Sequence, residues 1–188
     1  MSKTTLHIKN MVCPRCVTAV EDTLTNLKIP FSSVTLGEAL VEDNNIDYNL
    51  LNKELKKIGF ELINNNNLQI VEQIKSIIIE FIHHSENEQL KNNFSEYIAT
   101  KLNYDYSYLS KLFSEKENTT IEKYIILQKI EKVKELISYN ELSFSEIAYK
   151  LNYNSTAYLS KQFKDIMGLT LSEYKKSDNK QRNTLDKI

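Results

Sequence analysis

The spacing of hydrophobic residues changes along the chain and predicts two differently built parts. Near the N-terminus, Leu6 and Ile8 alternate with polar residues, which is typical of a strand. Apolar residues then recur at spacings of three and four from Val17 to Leu27, which is typical of a helix. The alternation of strand-like and helix-like segments continues as far as Gly59, a residue suited to a helix C-cap, and the apolar residues after it. Together these segments predict the element order β-α-β-β-α-β.

Four asparagines, Asn64 to Asn67, separate this part from a helix-rich remainder, because asparagine favours turns. The β-α-β-β-α-β order before them is that of the ferredoxin-like unit, so residues 1–66 are expected to form an α+β domain. Residues 67–176 are expected to form an all-α domain, which begins with an amphipathic helix. The polar tail, residues 177–188, is expected to be flexible.

The helix-rich part contains an internal repeat. One copy begins at Phe94 and reads FSEYIATKLNYDYSYLSKLFSEKENTTIEKY; the other begins at Phe144 and reads FSEIAYKLNYNSTAYLSKQFKDIMGLTLSEY. Each copy predicts a helix, a tight turn at Leu-Asn-Tyr and a second helix. Asn118 matches Gly168, and both residue types tolerate positive φ. The residues from Ile121 to Ile137 predict one long helix between the two copies.

Two helix-turn-helix units joined by a helix could present their second helices to successive major grooves, which are roughly 34 Å apart. The repeated motif, above all in its second copy, resembles the DNA-binding domain of the AraC/XylS family of transcription regulators. This resemblance extends from about Gln69 to Lys176. It implies regulation of transcription through double-stranded promoter or operator DNA, with recognition helices at Tyr106–Glu115 and Ser155–Ile166.

Helical spacing divides the residues of the two recognition helices between core and surface. The core is expected to receive Tyr108, Leu112 and Phe113 of the first helix, and Tyr158 and Phe163 of the second. The outward positions, which the family uses on base edges, are Tyr106, Ser107, Ser110 and Lys111, and then Thr156, Ala157, Ser160 and Lys161. Lys164 and the helix N-termini are expected to hold phosphates. The simpler alternative for each lysine is a solvated surface position.

The net charge of the chain does not by itself indicate a nucleic-acid partner. The 188-residue chain has a formal net charge of −1, and the part after Asn66 holds as many acidic as basic residues. DNA binding is therefore expected to be modest, salt-sensitive and assisted by a homodimer. The chain lacks an apolar leader and any apolar stretch of bilayer length, which predicts a cytoplasmic protein without a membrane partner. It shows no nucleophile–base pairing and no phosphate-binding glycine loop, so it is not expected to be an enzyme.

Both cysteines, Cys13 and Cys16, lie in the sequence MVCPRC between the first predicted strand and helix. Two thiolates there can converge on one ion, and the helix N-terminus and Arg15 are expected to favour the thiolate form. Two sulfur ligands suit Cu(I), or another soft metal ion, better than Zn(II). His83 and His84 are expected on the surface at a helix end, not as ligands.

The motif Met11-x-Cys13-x-x-Cys16, with KKIGFEL later in the chain, resembles the heavy-metal-associated domain of copper chaperones and copper-pump N-termini. The resemblance covers residues 3–66. It implies that both cysteines bind the metal, that Met11 is a buried support for the loop and that Phe60 lies near the site.

Three other interpretations of the chain remain open. The cysteine pair could serve thiol-redox chemistry, or the N-terminal domain could serve only dimerisation. The chain could also be a metal-trafficking protein whose helical part binds protein. The leading hypothesis is a DNA-binding transcription regulator that responds to a soft metal.

Overall fold

The computed structural model describes residues 3–42, 45–85, 93–177 and 182–188. Residues 178–181 of the predicted flexible tail lie outside this part. The N-terminal unit comprises β1 (Thr4–Lys9), α1 (Pro14–Asn26), β2 (Phe31–Thr35), β3 (Glu38–Val41), α2 (Tyr48–Lys57) and β4 (Glu61–Leu62). This element order agrees with the sequence prediction.

The four strands form one antiparallel sheet in the order β2-β3-β1-β4. Alternation along β1 places Leu6 and Ile8 on the buried face, where Leu6 lies opposite Ala39 of β3. The apolar sides of both helices complete this core, with Leu24 of α1 and Leu55 of α2 fully buried. The loop between β1 and α1, which carries the cysteine pair, lies at one end of the sheet.

The helical unit begins after a connection of only three residues, and Asn65 caps its first helix by accepting hydrogen bonds from the amides of Asn67 and Leu68. Its elements are α3 (Asn66–Ile79), a π-helical turn (Glu80–His84), α4 (Phe94–Leu102), α5 (Tyr106–Glu117), α6 (Ile121–Tyr139), α7 (Phe144–Lys150), α8 (Thr156–Met167) and α9 (Leu171–Lys176). Helix, turn and helix occur twice, as the repeat predicts.

The long helix α6 contributes to two separate hydrophobic cores. Its first half, from Ile121 to Ile125, packs with α3, α4 and α5, and its second half, from Ile130 to Ile137, packs with α7, α8 and α9. Asn118 and Gly168 end α5 and α8 in the left-handed conformation, with φ of 54° and 70°. The match between these two residues in the repeat is therefore confirmed.

The N-terminal unit rests against α3 and the π-helical turn. Gln73 of α3 donates a hydrogen bond to Glu38 of β3 over 2.6 Å, and Nε2 of His84 donates to the carbonyl oxygen of Val12 over 2.8 Å. Val12 directly precedes Cys13. The cysteine loop is thus in direct contact with the helical unit, a connection that the sequence did not reveal.

The C-terminal residues 182–188 lie on α6, in contrast to the expected flexible tail. Arg182 pairs with Glu131 and Glu135 of α6, and the carbonyl oxygen of Leu185 accepts a hydrogen bond from Gln128. Ile188 packs against the first helical core. The sequence predicted a flexible tail because the partners of these residues are polar side chains on α6. The spacing of hydrophobic residues gives no sign of such contacts.

Candidate nucleic-acid interface

The predicted base-reading residues lie mainly on the outer sides of α5 and α8. Ser107 and Lys111 of α5 and Ala157 and Lys161 of α8 are exposed, while the half-buried ones are Ser110, Thr156 and Ser160. Since residues three and four apart share a helix face, Ser107, Ser110 and Lys111 form one surface. Ala157, Ser160 and Lys161 form the equivalent surface on α8. We call these the α5 face and the α8 face.

Tyr106 departs from its expected outward position. Its ring packs against the first helical core, and its hydroxyl donates a hydrogen bond to a carboxylate oxygen of Glu122 over 2.6 Å. Burial and the neighbouring carboxylate raise the pKa of Tyr106. The residue therefore ties the N-terminus of α5 to α6, and its hydroxyl is already occupied.

Tyr108 and Tyr158 were expected in the core, and the structure shows that this expectation was wrong. Their side chains are 42% and 53% exposed, and the neighbouring Leu109 and Leu159 take the buried positions instead. The signal in the sequence was the spacing of Leu109 to the buried Leu112 and Phe113, which follows the helical period.

Each exposed tyrosine has an aromatic neighbour from the preceding turn. The rings of Tyr104 and Tyr108 are 5.5 Å apart, and those of Tyr153 and Tyr158 are 6.1 Å apart. Tyr108 follows Ser107 and Tyr158 follows Ala157, so each pair borders one of the two faces. Sequence reasoning missed these tyrosines as candidate functional residues because it assigned them to the core.

The charges of the helical unit are unevenly distributed, although they sum to zero. None of the ion pairs found among the described residues involves Lys111, Lys161 or Lys164, and all three are exposed. Several carboxylates are instead paired away from these faces; Glu117, for example, lies 2.6 Å from Lys75 of α3. Within the described residues, these three lysines therefore have no ion-pair partner and are available to an anionic molecule.

The two helix N-termini differ in their suitability for phosphate. Asp105 caps α5, and its carboxylate accepts a hydrogen bond from the amide of Ser107 over 2.8 Å. This bond and the one from the Ser107 hydroxyl lower the pKa of Asp105, which keeps a negative charge at the site. Ser155 caps α8 with a neutral hydroxyl. A phosphate is therefore disfavoured at the start of α5, contrary to the sequence expectation, and tolerated at the start of α8.

The cysteine pair lies at the start of α1, where Cys13 is the N-cap residue. Its two sulfur atoms are 3.2 Å apart, and Met11 beside them is 2% exposed. Burial raises the pKa of the Cys16 thiol, which opposes the expected stabilisation of the thiolate. Within the described residues, no cluster of three or more His, Cys, Asp or Glu side chains could hold a metal ion.

Phe60, the predicted neighbour of the cysteine loop, is buried in the same core as Met11. Asn10, whose φ is +72°, donates a hydrogen bond from its side chain to the carbonyl oxygen of Gly59 over 3.0 Å. This bond ties the segment before the cysteines to the segment that carries Phe60.

His83 is partly buried, in contrast to the fully exposed position that the sequence suggested. Its Nε2 lies 2.9 Å from the side-chain oxygen of Gln128, and burial lowers the pKa of His83 to about 4. The ring is therefore neutral at pH 7 and cannot interact as a cation with the helix terminus. The neighbouring His84 is exposed and contacts the cysteine loop.

Comparison with known proteins finds a similarity in the duplicated unit. Residues 98–177 match a family model described as "Helix-turn-helix domain". The Msm operon regulatory protein of Streptococcus mutans serotype c is 31% identical over 113 residues, which are 60% of this chain and 38% of that protein. This part of the chain is therefore similar to a helix-turn-helix domain. In the present structure, the matched residues contain α5, α6, α7, α8 and α9 and the end of α4.

Two further similarities each cover more than half of this chain. The uncharacterized HTH-type transcriptional regulator YtdP of Bacillus subtilis is 26% identical over 102 residues, 54% of this chain and 13% of that protein. The C-terminal domain of AraT, a response regulator from Geobacillus stearothermophilus, is 25% identical with a TM-score of 0.49, covering 61% of this chain and 88% of that one. The chain thus spans well under half the length of both curated relatives. None of its described helices has the length and apolar composition of a membrane span.

Proposed function

We propose that the protein regulates transcription by binding double-stranded DNA through the α5 face and the α8 face. The observation that carries this proposal is the repetition of an exposed lysine, Lys111 and Lys161, at equivalent places on the second helix of both units; neither lysine has an ion-pair partner among the described residues. The relatives support it, since one is named as an operon regulatory protein and the other as a transcriptional regulator. The rigid α6 between the units suits a reader of two successive major grooves.

The side chains of the two faces suggest distinct roles. Lys111 and Lys161 can donate to the acceptors of guanine, the serine and threonine hydroxyls can pair with several bases, and the methyl of Ala157 can contact thymine. Lys164 is suited to a phosphate, where it positions the domain without reading sequence. Tyr106 supports α5 from behind, because its hydroxyl is bound to Glu122.

The deciding experiment selects bound fragments from genomic DNA and then measures their affinity by fluorescence anisotropy. We expect a recovered fragment to bind more tightly than a random duplex, and we expect affinity to fall as salt rises, because phosphate contacts release counterions. Absence of binding at low salt would overturn the proposal and favour a protein-binding role for the helical unit.

The exposed tyrosines provide a milder test of the same interface. A Tyr108→Ala/Tyr158→Ala variant is expected to bind specific and random duplexes more weakly by a similar factor, about threefold to tenfold, since their contacts would be to the sugar–phosphate backbone. Tyr139→Ala, at an exposed tyrosine near the end of α6, is the matched control. Equal affinities of wild type and the double variant would remove these tyrosines from the interface.

A second proposal concerns the N-terminal unit, which we infer to be a soft-metal sensor of the ferredoxin-like, heavy-metal-associated type. The two thiols are close enough to share one ion, and their sulfur chemistry fits Cu(I). Additional ligands would come from a partner or from a second copy of the chain in a homodimer. The contact between Val12 and His84 supports a link between this loop and the helical unit.

Metal binding by the cysteines is testable in competition with a chromogenic Cu(I) chelator under reducing conditions. The wild type is expected to take up about one Cu(I) per chain or per dimer, and Cys13→Ser/Cys16→Ser is expected to take up none, because hydroxyls are poor ligands for soft ions. Identical titrations of the two proteins would reject the metal site. Thiol oxidation without copper uptake would favour the redox alternative.

A further inference from the structure

The two helix-turn-helix units share α6, and two clefts lie between their other parts. One cleft, with a volume of about 850 Å³, lies between the π-helical turn and α7. The other, with a volume of about 280 Å³, lies between the start of α4 and the turn that precedes α8. Among the described residues, only Lys129 of α6 and Asn152 line both clefts. Lys129 is therefore placed at the boundary between the two units.

The ammonium group of Lys129 lies over one aromatic ring from each unit. It is 5.8 Å from the ring centre of Phe94, the first residue of α4, and 5.0 Å from that of Tyr153, in the turn between α7 and α8. Both distances are within the roughly 6 Å over which a cation is attracted to an aromatic face. A single side chain thus joins the first unit directly to the second.

Each of these two rings is held within its own unit. Phe94 packs edge-on against Phe81 of the first helical core, with the ring centres 5.0 Å apart. The hydroxyl of Tyr153 donates a hydrogen bond to the side-chain oxygen of Gln162 over 2.7 Å, and its ring packs against the second core. Gln162 directly follows Lys161 of the α8 face. The position of Tyr153 is therefore coupled to the helix that carries this face.

In the described structure, the ammonium group of Lys129 has no ion-pair partner that would compete with the rings. Glu122 lines the smaller cleft, but its carboxylate accepts a hydrogen bond from Tyr106 over 2.6 Å. Burial lowers the pKa of Lys129 to about 8, so the group remains mostly protonated at pH 7. A partly desolvated cation gains more from an aromatic face than an exposed one does. The link between the units therefore depends on the charge of Lys129.

We propose that Lys129 is a positioning residue that holds the α5 face and the α8 face at a fixed distance and thereby selects the spacing of the two DNA half-sites. Successive major grooves are roughly 34 Å apart, and each base pair contributes roughly 3.4 Å. Insertion or removal of one base pair therefore displaces one half-site from its face unless the second unit can move. The effect on spacing rests on the proposed function, whereas the link between the units does not.

Spacing selectivity is measured by fluorescence anisotropy on a selected fragment whose two half-sites have been located by footprinting. The wild type is expected to bind derivatives with one base pair inserted or removed at least about tenfold more weakly than the parent fragment, because a displaced half-site loses base contacts. Lys129→Met, which keeps the apolar stem, is expected to reduce this penalty to about threefold or less. Lys129→Arg is expected to retain the penalty, because a guanidinium group also binds aromatic faces. Lys123→Met, at an exposed lysine of the same helix, controls for the loss of a positive charge.

The link itself is measured without DNA, from residual dipolar couplings of the backbone amides in the full chain. In the wild type, one alignment tensor is expected to fit both units. In Lys129→Met, the second unit is expected to require a smaller tensor than the first, because it reorients relative to the first. Lys129→Arg is expected to restore a common tensor.

The possible results reject different parts of the proposal. A common tensor in Lys129→Met would reject the link, and an unchanged spacing penalty in that variant would reject the role in spacing. A penalty lost equally in Lys129→Arg would assign the effect to packing and reject the role of the charge. If Lys129→Met does not fold by circular dichroism, Lys129→Gln takes its place in both measurements. Absence of any DNA binding would overturn the proposed function and leave the dipolar couplings to decide the link.

Discussion

Replacing Glu131 by methionine is expected to lower the free energy of unfolding by about 3–5 kcal/mol, because it leaves a buried ammonium group without its partner. Glu131 and Lys134 of α6 are 3% and 2% exposed, and their charged atoms are 2.6 Å apart. In the described structure, this carboxylate is the only ion-pair partner of Lys134. Equilibrium unfolding in urea, followed by circular dichroism, measures the loss.

Replacing the other member of the pair, Lys134, provides a comparison in which a smaller loss of stability is expected. Lys134→Met is expected to cost less than Glu131→Met, because Glu131 keeps the Arg182 guanidinium and the amide of Asn183, which donates to it over 3.0 Å. Removing both charges in Glu131→Met/Lys134→Met is expected to recover much of the loss, since apolar residues of similar volume can replace a buried pair. Equal losses in both single variants would contradict the role assigned here to the C-terminal segment.

The buried pair of Glu131 and Lys134 illustrates why part of the fold could not be predicted from the sequence. Strands and helices follow from local periodicity, so β1, α1 and the helix-turn-helix repeat were all predicted. Glu131 and Lys134 look like ordinary surface residues of a charged helix, but both are buried, and Arg182 and the amide of Asn183 contact Glu131. The contact between His84 and Val12 likewise joins residues distant in the chain, so no local pattern encodes it.

The sequence predicted which helices carry the candidate interface, but it predicted the orientation of their individual side chains less well. Lys111 and Lys161 are exposed as predicted, since they follow the buried leucines by two residues on each helix. The prediction for Tyr108 was wrong because Tyr108 and the adjacent Leu109 both fit an approximate helical spacing of apolar residues. Which of the two side chains is buried depends on how α5 packs against α6. Tyr106 was misplaced because its partner, Glu122, lies beyond the next turn.

Replacing Lys111 and Lys161 together by alanine is expected to weaken binding to a selected DNA fragment by at least about 30-fold. Each lysine that donates to a base edge contributes roughly 1–3 kcal/mol, and the two residues lie in separate units, so their losses should add. The affinity for random duplex should fall much less, because base contacts contribute little to it. The specificity ratio, measured by anisotropy at one salt concentration, should therefore fall with the affinity.

Two further variants separate base reading from general attraction. Lys164→Ala is expected to weaken specific and random binding alike and to reduce the salt dependence by about one counterion, as a phosphate contact does. Lys53→Ala in the N-terminal unit controls for the loss of a positive charge and is expected to change neither affinity. If Lys111→Ala/Lys161→Ala behaves like Lys164→Ala, with an unchanged specificity ratio, these lysines hold the backbone and the bases are read by other residues. Unchanged affinity for the selected fragment would instead remove the α5 face and the α8 face from the DNA interface.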